Sequence, residues 1–210
     1  MAQAVKTSSG KQRPRVERAA ARERIVEAAI ELVRERSYAE LTVGEIMDRA
    51  GLERTIFYRH FENVGELLLG AGREAINQLY AAQVALAATR ADHGPEAVRQ
   101  ALEVPVQIYR RHGPLLRAVS EAVAADQLVA VDQEMLRRRF DELVAGALRA
   151  GAAESGRELS DFEETARALN NLNESYLLDT FGREPRVSVE TATNTLAEIW
   201  SSVIDPGGPR

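Results

Sequence analysis

The chain has 210 residues, of which 45% are hydrophobic and 28% charged, so it is long enough for one or two domains with a buried core. It has no cysteine, which excludes disulfides, thiolate metal sites and a cysteine nucleophile. No apolar run approaches the ~20 residues of a membrane span, and the N-terminus has no apolar core of a secretion signal. We therefore expect a soluble, cytoplasmic protein without a membrane partner.

The net charge of −5 is unevenly distributed along the chain. Residues 1–24 carry seven basic and two acidic side chains, whereas residues 63–210 carry 15 basic and 22 acidic ones. This asymmetry predicts a basic arm on an acidic body, an arrangement that favours a nucleic-acid partner. The arm taken alone is equally compatible with a solvated, disordered tail.

The chain is predicted to be all-α, because Ala, Leu, Glu and Arg dominate it and no run alternates β-branched residues. Residues 1–16 are predicted to be disordered. Four helices follow in the first half, at 18–36, 43–50, 54–61 and from 64 to 89.

The second half begins with a helix from Pro95 to Arg111, which we expect to be kinked at Pro105. Gly113-Pro114 is predicted to break the chain before the next helix. Further helices are predicted at 114–124, 127–150, 160–181 and 188–204. The tail 205–210 cannot be helical.

Two helix-start signals lie close together near the N-terminus. Thr42 and Glu45 fit a capping box for the helix at 43–50, and Asn63 and Glu66 repeat the arrangement for the helix at 64. Between them, Gly51 separates two short helices. Two short helices joined by a tight glycine turn make a helix-turn-helix.

The second short helix divides into a core face and an outward face. Leu52, Phe57 and Phe61 can anchor it in the core. The polar residues are left to face outward, where Arg and Thr can read base edges and Tyr, Thr and His can donate to phosphates. Together with Thr42 at the start of the preceding helix, the candidate DNA-binding residues are Arg54, Thr55, Tyr58, Arg59 and His60.

This segment resembles the DNA-binding domain of TetR-family transcriptional repressors. The matching residues are Leu41 to Ile46, Ala50-Gly51-Leu52, Arg54, Phe57-Tyr58 and Phe61. Three residues depart from the family pattern: Glu53 replaces a small hydroxyl cap, Ile56 replaces a threonine and Val64 replaces a lysine. The resemblance implies a homodimer on double-stranded, palindromic operator DNA.

The C-terminal half resembles the EthR-like subgroup of this family, on Ala168-Leu169-Asn170-Asn171-Leu172-Asn173-Glu174 and Ile199-Trp200. The resemblance implies a long apolar channel for a small-molecule effector, in which Asn170 and Asn173 supply polar groups. The predicted lining residues are Val98, Leu102, Tyr109, Phe140, Asn170, Asn173, Leu177 and Trp200. From the residues alone, these apolar stripes could equally be ordinary core, and the asparagines could be solvated or could link helices.

The predicted organisation is therefore a basic disordered arm (1–17), a three-helix helix-turn-helix domain (18–66), a larger helical ligand-binding and dimerisation domain (67–204) and a flexible tail (205–210). The predicted function is a ligand-responsive transcriptional repressor. An activator on the same fold is the first alternative. An all-α enzyme is the second, but the three histidines lack the spacing of a metal site or a hydrolytic triad. We predict no catalytic residues, metal or cofactor.

Overall fold

A computed structural model of the chain describes residues 13–88, 94–125, 127–155 and 160–204. These ranges contain helices and connecting turns but no strand, which confirms the all-α prediction. The helices are α1 (Arg13–Glu35), α2 (Val43–Ala50), α3 (Arg54–Phe57), α4 (Val64–Ala88), α5 (Gly94–Ala125), α6 (Gln127–Ser155), α7 (Phe162–Phe181) and α8 (Val189–Ile204), and a short 3-10 helix (Tyr38–Glu40) follows α1.

The first helix begins earlier than predicted. It starts at Arg13, so that residues 13–17 of the predicted disordered arm are helical. Pro14 stands in the first turn, where its missing N–H would have no partner in any case and its fixed φ suits a helix. The rest of the predicted arm, residues 1–12, and the tail 205–210 lie outside the described residues.

The predicted break at Gly113-Pro114 is wrong, because α5 is one helix that runs through Pro105 and Pro114. Gly113 has a packing role instead. A Cβ placed on it would lie 2.0 Å from the carbonyl oxygen of Phe181, so the end of α7 crosses α5 at a distance that only glycine permits. Contacts with α4, α7 and α8 along its length hold α5 together despite two prolines that would interrupt an isolated helix.

Two hydrophobic clusters form the core. The first lies among α1, α2, α3 and the start of α4, and includes Ile25, Ile46, Phe57 and Leu67. The second lies among α4 to α8 and includes Leu102, Leu177, Leu196 and Trp200. Helices α4 and α5 both contribute to both clusters. Helix α5, for example, places Leu115, Ala118 and Val119 in the first cluster and Leu102 and Val106 in the second.

No helix in the described ranges combines the length and apolar character that crossing a membrane requires.

Candidate DNA-binding surface and internal cavity

The predicted boundaries of α2 are confirmed, because both of its ends have strong local signals. Glu45 N donates to Thr42 Oγ1 at 3.2 Å, and Glu45 Oε2 accepts from Thr42 N at 3.2 Å and from Thr42 Oγ1 at 2.8 Å. This is the predicted capping box. At the other end, Gly51 has φ 63°, a left-handed conformation that glycine adopts without strain.

The second capping box forms only in part. Asn63 Oδ1 accepts from Glu66 N at 2.8 Å, as predicted for an N-cap. The Glu66 carboxylate accepts from the N–H of Glu62 at 2.6 Å, one residue before the cap. The Glu66 side chain in the first turn of α4 is therefore bonded to the backbone of the segment that connects α3 to α4.

Replacing Thr42 by alanine is expected to lower the free energy of unfolding by about 1 kcal/mol, because an orphan N–H at the start of α2 loses its acceptor. The matched control is Thr55→Ala, which removes an exposed hydroxyl that bonds to nothing in the described chain and should change stability by less than about 0.5 kcal/mol. Urea denaturation of both variants measures the difference. Equal stabilities would contradict the capping role.

An arginine that the sequence analysis missed caps the C-terminal end of α2. Arg24 of α1 donates from Nη2 to the carbonyl oxygens of Ala50, at 2.5 Å, and Gly51, at 3.2 Å. A cation at a helix C-terminus also interacts favourably with the helix dipole. Because Arg24 lies 26 residues before Ala50, no local pattern could reveal this contact.

Helix α3 is shorter than the predicted 54–61. It ends at Phe57, and residues 58–60 continue as turns in which the N–H groups of His60 and Phe61 both donate to the carbonyl of Phe57, at 2.9 and 3.0 Å. Glu53 makes no side-chain capping hydrogen bond, so α3 begins without a cap, in keeping with its departure from the family pattern. Phe57 and Phe61 are buried, as predicted, and they anchor this segment to the core.

The predicted DNA-binding side chains divide by accessibility. Arg54, Thr55, Tyr58 and Arg59 are exposed, Tyr58 to 57%, and none of their side chains forms a hydrogen bond or ion pair with the described part of the chain. His60 is half-buried against the Phe61 ring. Thr42 is exposed at the start of α2, although its N–H and hydroxyl are already used in the capping box.

A basic cleft lies beside α3, where α1 passes the end of residues 54–61, which we call the recognition segment. Its walls are Arg18, Ala19, Arg22, Arg59 and His60. The Arg22 guanidinium lies over the Phe61 ring, 5.3 Å from its centroid, which fixes the position of this charge. Burial lowers the pKa of His60, and the nearby Arg22, Arg18 and Arg59 lower it further. The sequence analysis counted Arg18 and Arg22 only among the seven basic side chains of residues 1–24.

A cavity of about 340 Å³ lies among α4, α5, α6 and α7. One wall is mostly apolar and comes from α4 and α5. The opposite wall, from α6 and α7, is mostly polar and charged. The apolar wall includes Ile76, Leu79, Pro105, Tyr109, Leu116, Val119 and Val123, and the polar wall includes Glu134, Arg137, Asp141, Arg167, Asn170, Asn171, Asn173 and Glu174.

Five of the eight residues predicted to bind a ligand line this cavity: Tyr109, Phe140, Asn170, Asn173 and Leu177. The other three do not line it. Leu102 and Trp200 are buried in the second hydrophobic cluster, and Val98 packs against that cluster. Helix α5 packs against α8 as well as bordering the cavity, so its apolar stripe is divided between the two.

The two asparagines link helices as well as lining the cavity. Asn170 accepts from Gln83 of α4 at 2.9 Å and donates to Asp141 of α6 at 2.7 Å. Asn173 Oδ1 accepts from the indole N–H of Trp200 on α8 at 3.0 Å. Both amides are therefore satisfied at least in part by the protein, as the helix-linking alternative supposed.

Charged residues at the cavity come in pairs that the sequence analysis did not identify. Arg137 of α6 forms an ion pair with Glu174 of α7 at 3.1 Å, and Arg167 pairs with Glu164. Burial, and then the Glu174 carboxylate, raise the pKa of the Tyr109 hydroxyl, so this group stays protonated near neutral pH. The charged residues alternate with apolar ones along α6 and α7. Which of the charged residues meet at the cavity therefore depends on how the two helices pack.

The capped helix-turn-helix with an outward-facing recognition segment, joined to a helical body with a half-open cavity, defines a DNA-binding transcriptional regulator. The family model for bacterial regulatory proteins of the TetR family matches residues 25–71. The model for the C-terminal domain of the transcriptional regulator EthR matches residues 98–205. The chain therefore belongs to the TetR family and has an EthR-like C-terminal domain.

Among curated proteins, the chain is 30% identical over 186 residues to the HTH-type transcriptional regulator EthR of Mycobacterium tuberculosis, covering 86% of this chain and 85% of the relative. Two solved structures share the fold. The TetR-family regulator PfmR from Thermus thermophilus has a TM-score of 0.70 at 21% identity, over 89% of this chain and 99% of that one. The regulator FadR from Bacillus subtilis, in complex with stearoyl-CoA, has a TM-score of 0.63 at 13% identity, over 87% and 97%.

TetR-family proteins are transcriptional regulators and not enzymes, which confirms that prediction. They bind operator DNA, act as dimers and bind ligands in the C-terminal domain.

Proposed function

We propose that the protein is a repressor that binds a palindromic operator as a homodimer and is released by a mostly apolar small molecule. The observation that carries this proposal is the sharing of α4 and α5. Both helices line the cavity and both contribute to the hydrophobic cluster around the helix-turn-helix. A ligand that prefers one arrangement of these helices would change operator affinity by that preference alone.

The DNA-contacting residues of this proposal are Thr42, Arg54, Thr55, Tyr58, Arg59 and His60. Exposed side chains with no internal bonds can reach the edges of bases in the major groove, which supports Arg54, Thr55, Tyr58 and Arg59 in this role. The basic cleft adds Arg18 and Arg22 as candidates for phosphate contacts, because three arginines line it together with His60.

Operator binding is expected to strengthen as the pH falls from 8 to 6. Burial, and then the neighbouring arginines, hold the pKa of His60 below its usual 6.5, so the neutral ring predominates at pH 7 in the free protein. A bound phosphate would favour the imidazolium and raise that pKa, so binding would take up a proton. Each subunit of the dimer would then lower the dissociation constant by at most about tenfold per pH unit in this range, because it takes up at most one proton at His60.

Fluorescence anisotropy at constant ionic strength measures this pH dependence. The variant His60→Gln should lose it. The matched control is His112→Gln, because the pKa of His112 is also lowered by burial and by Arg111 but this residue lies on α5. If the pH dependence of operator affinity persisted in His60→Gln and disappeared in His112→Gln, its assignment to His60 would be contradicted.

The proposed dimer pairs α7 and α8 with their symmetry mates as a four-helix bundle. Leu172 on α7 is 36% exposed and Val187, just before α8, is 37% exposed, so apolar groups are accessible on this face. Light scattering is expected to give twice the chain mass of 23.1 kDa, and Leu172→Glu is expected to shift the protein towards the monomer. A monomeric wild-type protein at micromolar concentration would contradict this.

The proposed effector combines an apolar body with a polar group. Tyr109, Phe140 and Leu177 would contact the body, and Asn170 and Asn173 would contact the polar group. The stearoyl-CoA complex of the Bacillus subtilis regulator supports a long apolar ligand in this fold. Val98, Leu102 and Trp200 would act behind the lining, because they pack in the adjoining hydrophobic cluster.

Native mass spectrometry of the purified protein would identify a small molecule that co-purifies with it. Titration of that molecule tests release, with Trp200 as the reporter, because it is the only tryptophan in the chain and bonds to Asn173. The change in Trp200 emission, the rise in melting temperature and the loss of operator binding should cover one concentration range. Tight binding without release would contradict the ligand response. A reporter fused to the target promoter separates repressor from activator, because deletion of the gene would raise expression only for a repressor.

A further inference from the structure

A single arginine of α5 connects the ends of two other helices. The Arg117 side chain is only 12% exposed. Its Nε donates to the carbonyl of Gly182 at the end of α7, at 2.8 Å. Its Nη2 donates to the carbonyls of Val33 and Arg36 at the end of α1, at 2.9 and 3.1 Å. The guanidinium therefore lies among the last carbonyls of α1 and α7, where a cation is favoured.

Glu121, one turn further along α5, completes the connection. Its Oε1 accepts from Arg117 Nη1 at 2.8 Å, and its Oε2 accepts from the N–H of Tyr38 at 2.7 Å. Tyr38 begins the 3-10 helix that links α1 to α2. Removing either partner would leave a largely buried charge or backbone group unpaired, which is much more costly than losing an exposed ion pair.

The same two turns of α5 also border the cavity. Leu116, Val119, Ser120 and Val123 line it, and they alternate with Arg117 and Glu121 along the helix. On α7, Leu177 and Leu178 line the cavity one turn before Gly182. A molecule that moves α5 and α7 apart at the cavity would therefore also move Arg117 relative to one of its two sets of carbonyl partners.

We propose that Arg117 and Glu121 are the positioning residues through which occupancy of the cavity sets the orientation of the DNA-binding unit, defined here as α1 to α3. This proposal rests on the proposed ligand response. With the cavity compact, all five hydrogen bonds form and the unit is held at one angle to α5. With the cavity expanded, the Gly182 and α1 contacts cannot all be kept, and the unit leaves that angle. Small shifts at such a packed interface become discrete changes of arrangement.

Spin labels test the orientation directly. The chain has no cysteine, so Glu27→Cys places one label per subunit on an exposed position of α1 whose side chain bonds to none of the described residues. Double electron–electron resonance on the full-length dimer then gives the distance distribution between the two DNA-binding units. A narrow distribution is expected for the parent protein, and a broad or shifted one for Arg117→Met and Glu121→Ala. Glu121→Gln keeps an oxygen for Tyr38 N and is expected to restore most of the narrow distribution.

The matched control is Arg138→Met, which removes another arginine–glutamate pair at i, i+4, formed with Glu134 on α6. In the described chain, Arg138 has no hydrogen bond or ion pair to α1 or α7. Its distribution should equal that of the parent. If Arg117→Met and Glu121→Ala also equal the parent, the proposal is overturned. Should Arg117→Met fail to fold by circular dichroism, the Glu121 pair of variants decides the outcome.

A second measurement tests transmission. Ser120→Leu adds an apolar group to the cavity from α5 and should lower operator affinity on the order of fivefold or more. In the Arg117→Met background the same change should have little further effect, because the connection is already broken. An equal effect in both backgrounds would overturn the proposal. No effect of Ser120→Leu in the parent protein, with a broadened distribution in Arg117→Met, would instead count against the proposed ligand response and leave the positioning role supported.

Discussion

Replacing Tyr58 and Arg59 together by alanine is expected to abolish specific operator binding while leaving the fold intact. Each side chain is expected to contribute about 1–3 kcal/mol if it makes a specific contact, so the double variant should weaken binding at each half-site by roughly 30-fold to 10⁴-fold. The structural reason is that both side chains are exposed on the recognition segment and bond to nothing else in the described chain. Their removal takes away contacts to DNA and no described contact within the protein except the edge of Tyr58 against Phe57.

The measurement is anisotropy titration of an operator duplex selected from random-sequence DNA, at one salt concentration, because phosphate contacts make affinity depend strongly on salt. Arg138→Ala is the matched control, an exposed arginine on α6 that should leave binding unchanged. An unchanged dissociation constant in the Tyr58→Ala/Arg59→Ala variant would remove this segment from the DNA interface. Loss of the circular dichroism signal would instead indicate a structural role.

Gly113→Ala is expected to destabilise the protein by about 3 kcal/mol or more, although alanine is normally the better helix former. The added Cβ would lie 2.0 Å from the Phe181 carbonyl oxygen, and a backbone atom cannot rotate away as a side chain can. The end of α7 would have to move off α5. Because Gly182 follows directly and bonds to Arg117, operator affinity should fall as well.

Gly146→Ala is the control for this substitution. Gly146 also lies inside a helix, α6, but a Cβ there would meet nothing within 4 Å. It should therefore stabilise the protein by about 0.5–1 kcal/mol through helix propensity. Chemical denaturation of both variants measures the contrast. Similar stabilities would show that the α5–α7 crossing tolerates a side chain and that the close approach is not required.

The parts of the fold that the sequence predicted well are those with local signals. The bounds of α2 follow from Thr42 and Glu45 at one end and Gly51 at the other, all within ten residues. Burial of Phe57 and Phe61 follows from their spacing on one short segment. Such signals act within a turn or two of helix, so neighbouring residues alone reveal them.

The parts that the sequence could not predict depend on distant packing. Gly113-Pro114 is a dipeptide that normally ends a helix, so the sequence predicted a break. The helix continues, and Gly113 is where α7 crosses α5, which depends on the position of α7. The division of the α5 stripe between the cavity and α8 left Leu102 in the core away from the lining, whereas Tyr109 belongs both to the core and to the lining. Arg117 reaches Val33 across 84 positions of the chain, a separation at which single-sequence patterns carry no information.

The separation between bonded and unbonded residues in the helix-turn-helix has a consequence for how its operator preference can evolve. The frame is maintained by Thr42, Glu45 and Arg24, which bond to the backbone, and by the buried Phe57. The exposed side chains of Arg54, Thr55, Tyr58 and Arg59 make no such bonds in the described chain. Mutations at these four positions can therefore accumulate with little loss of stability, and a duplicated copy of the gene could acquire a new target promoter without passing through unfolded intermediates. A library randomised at only these positions should yield mostly folded regulators with many different operator sequences.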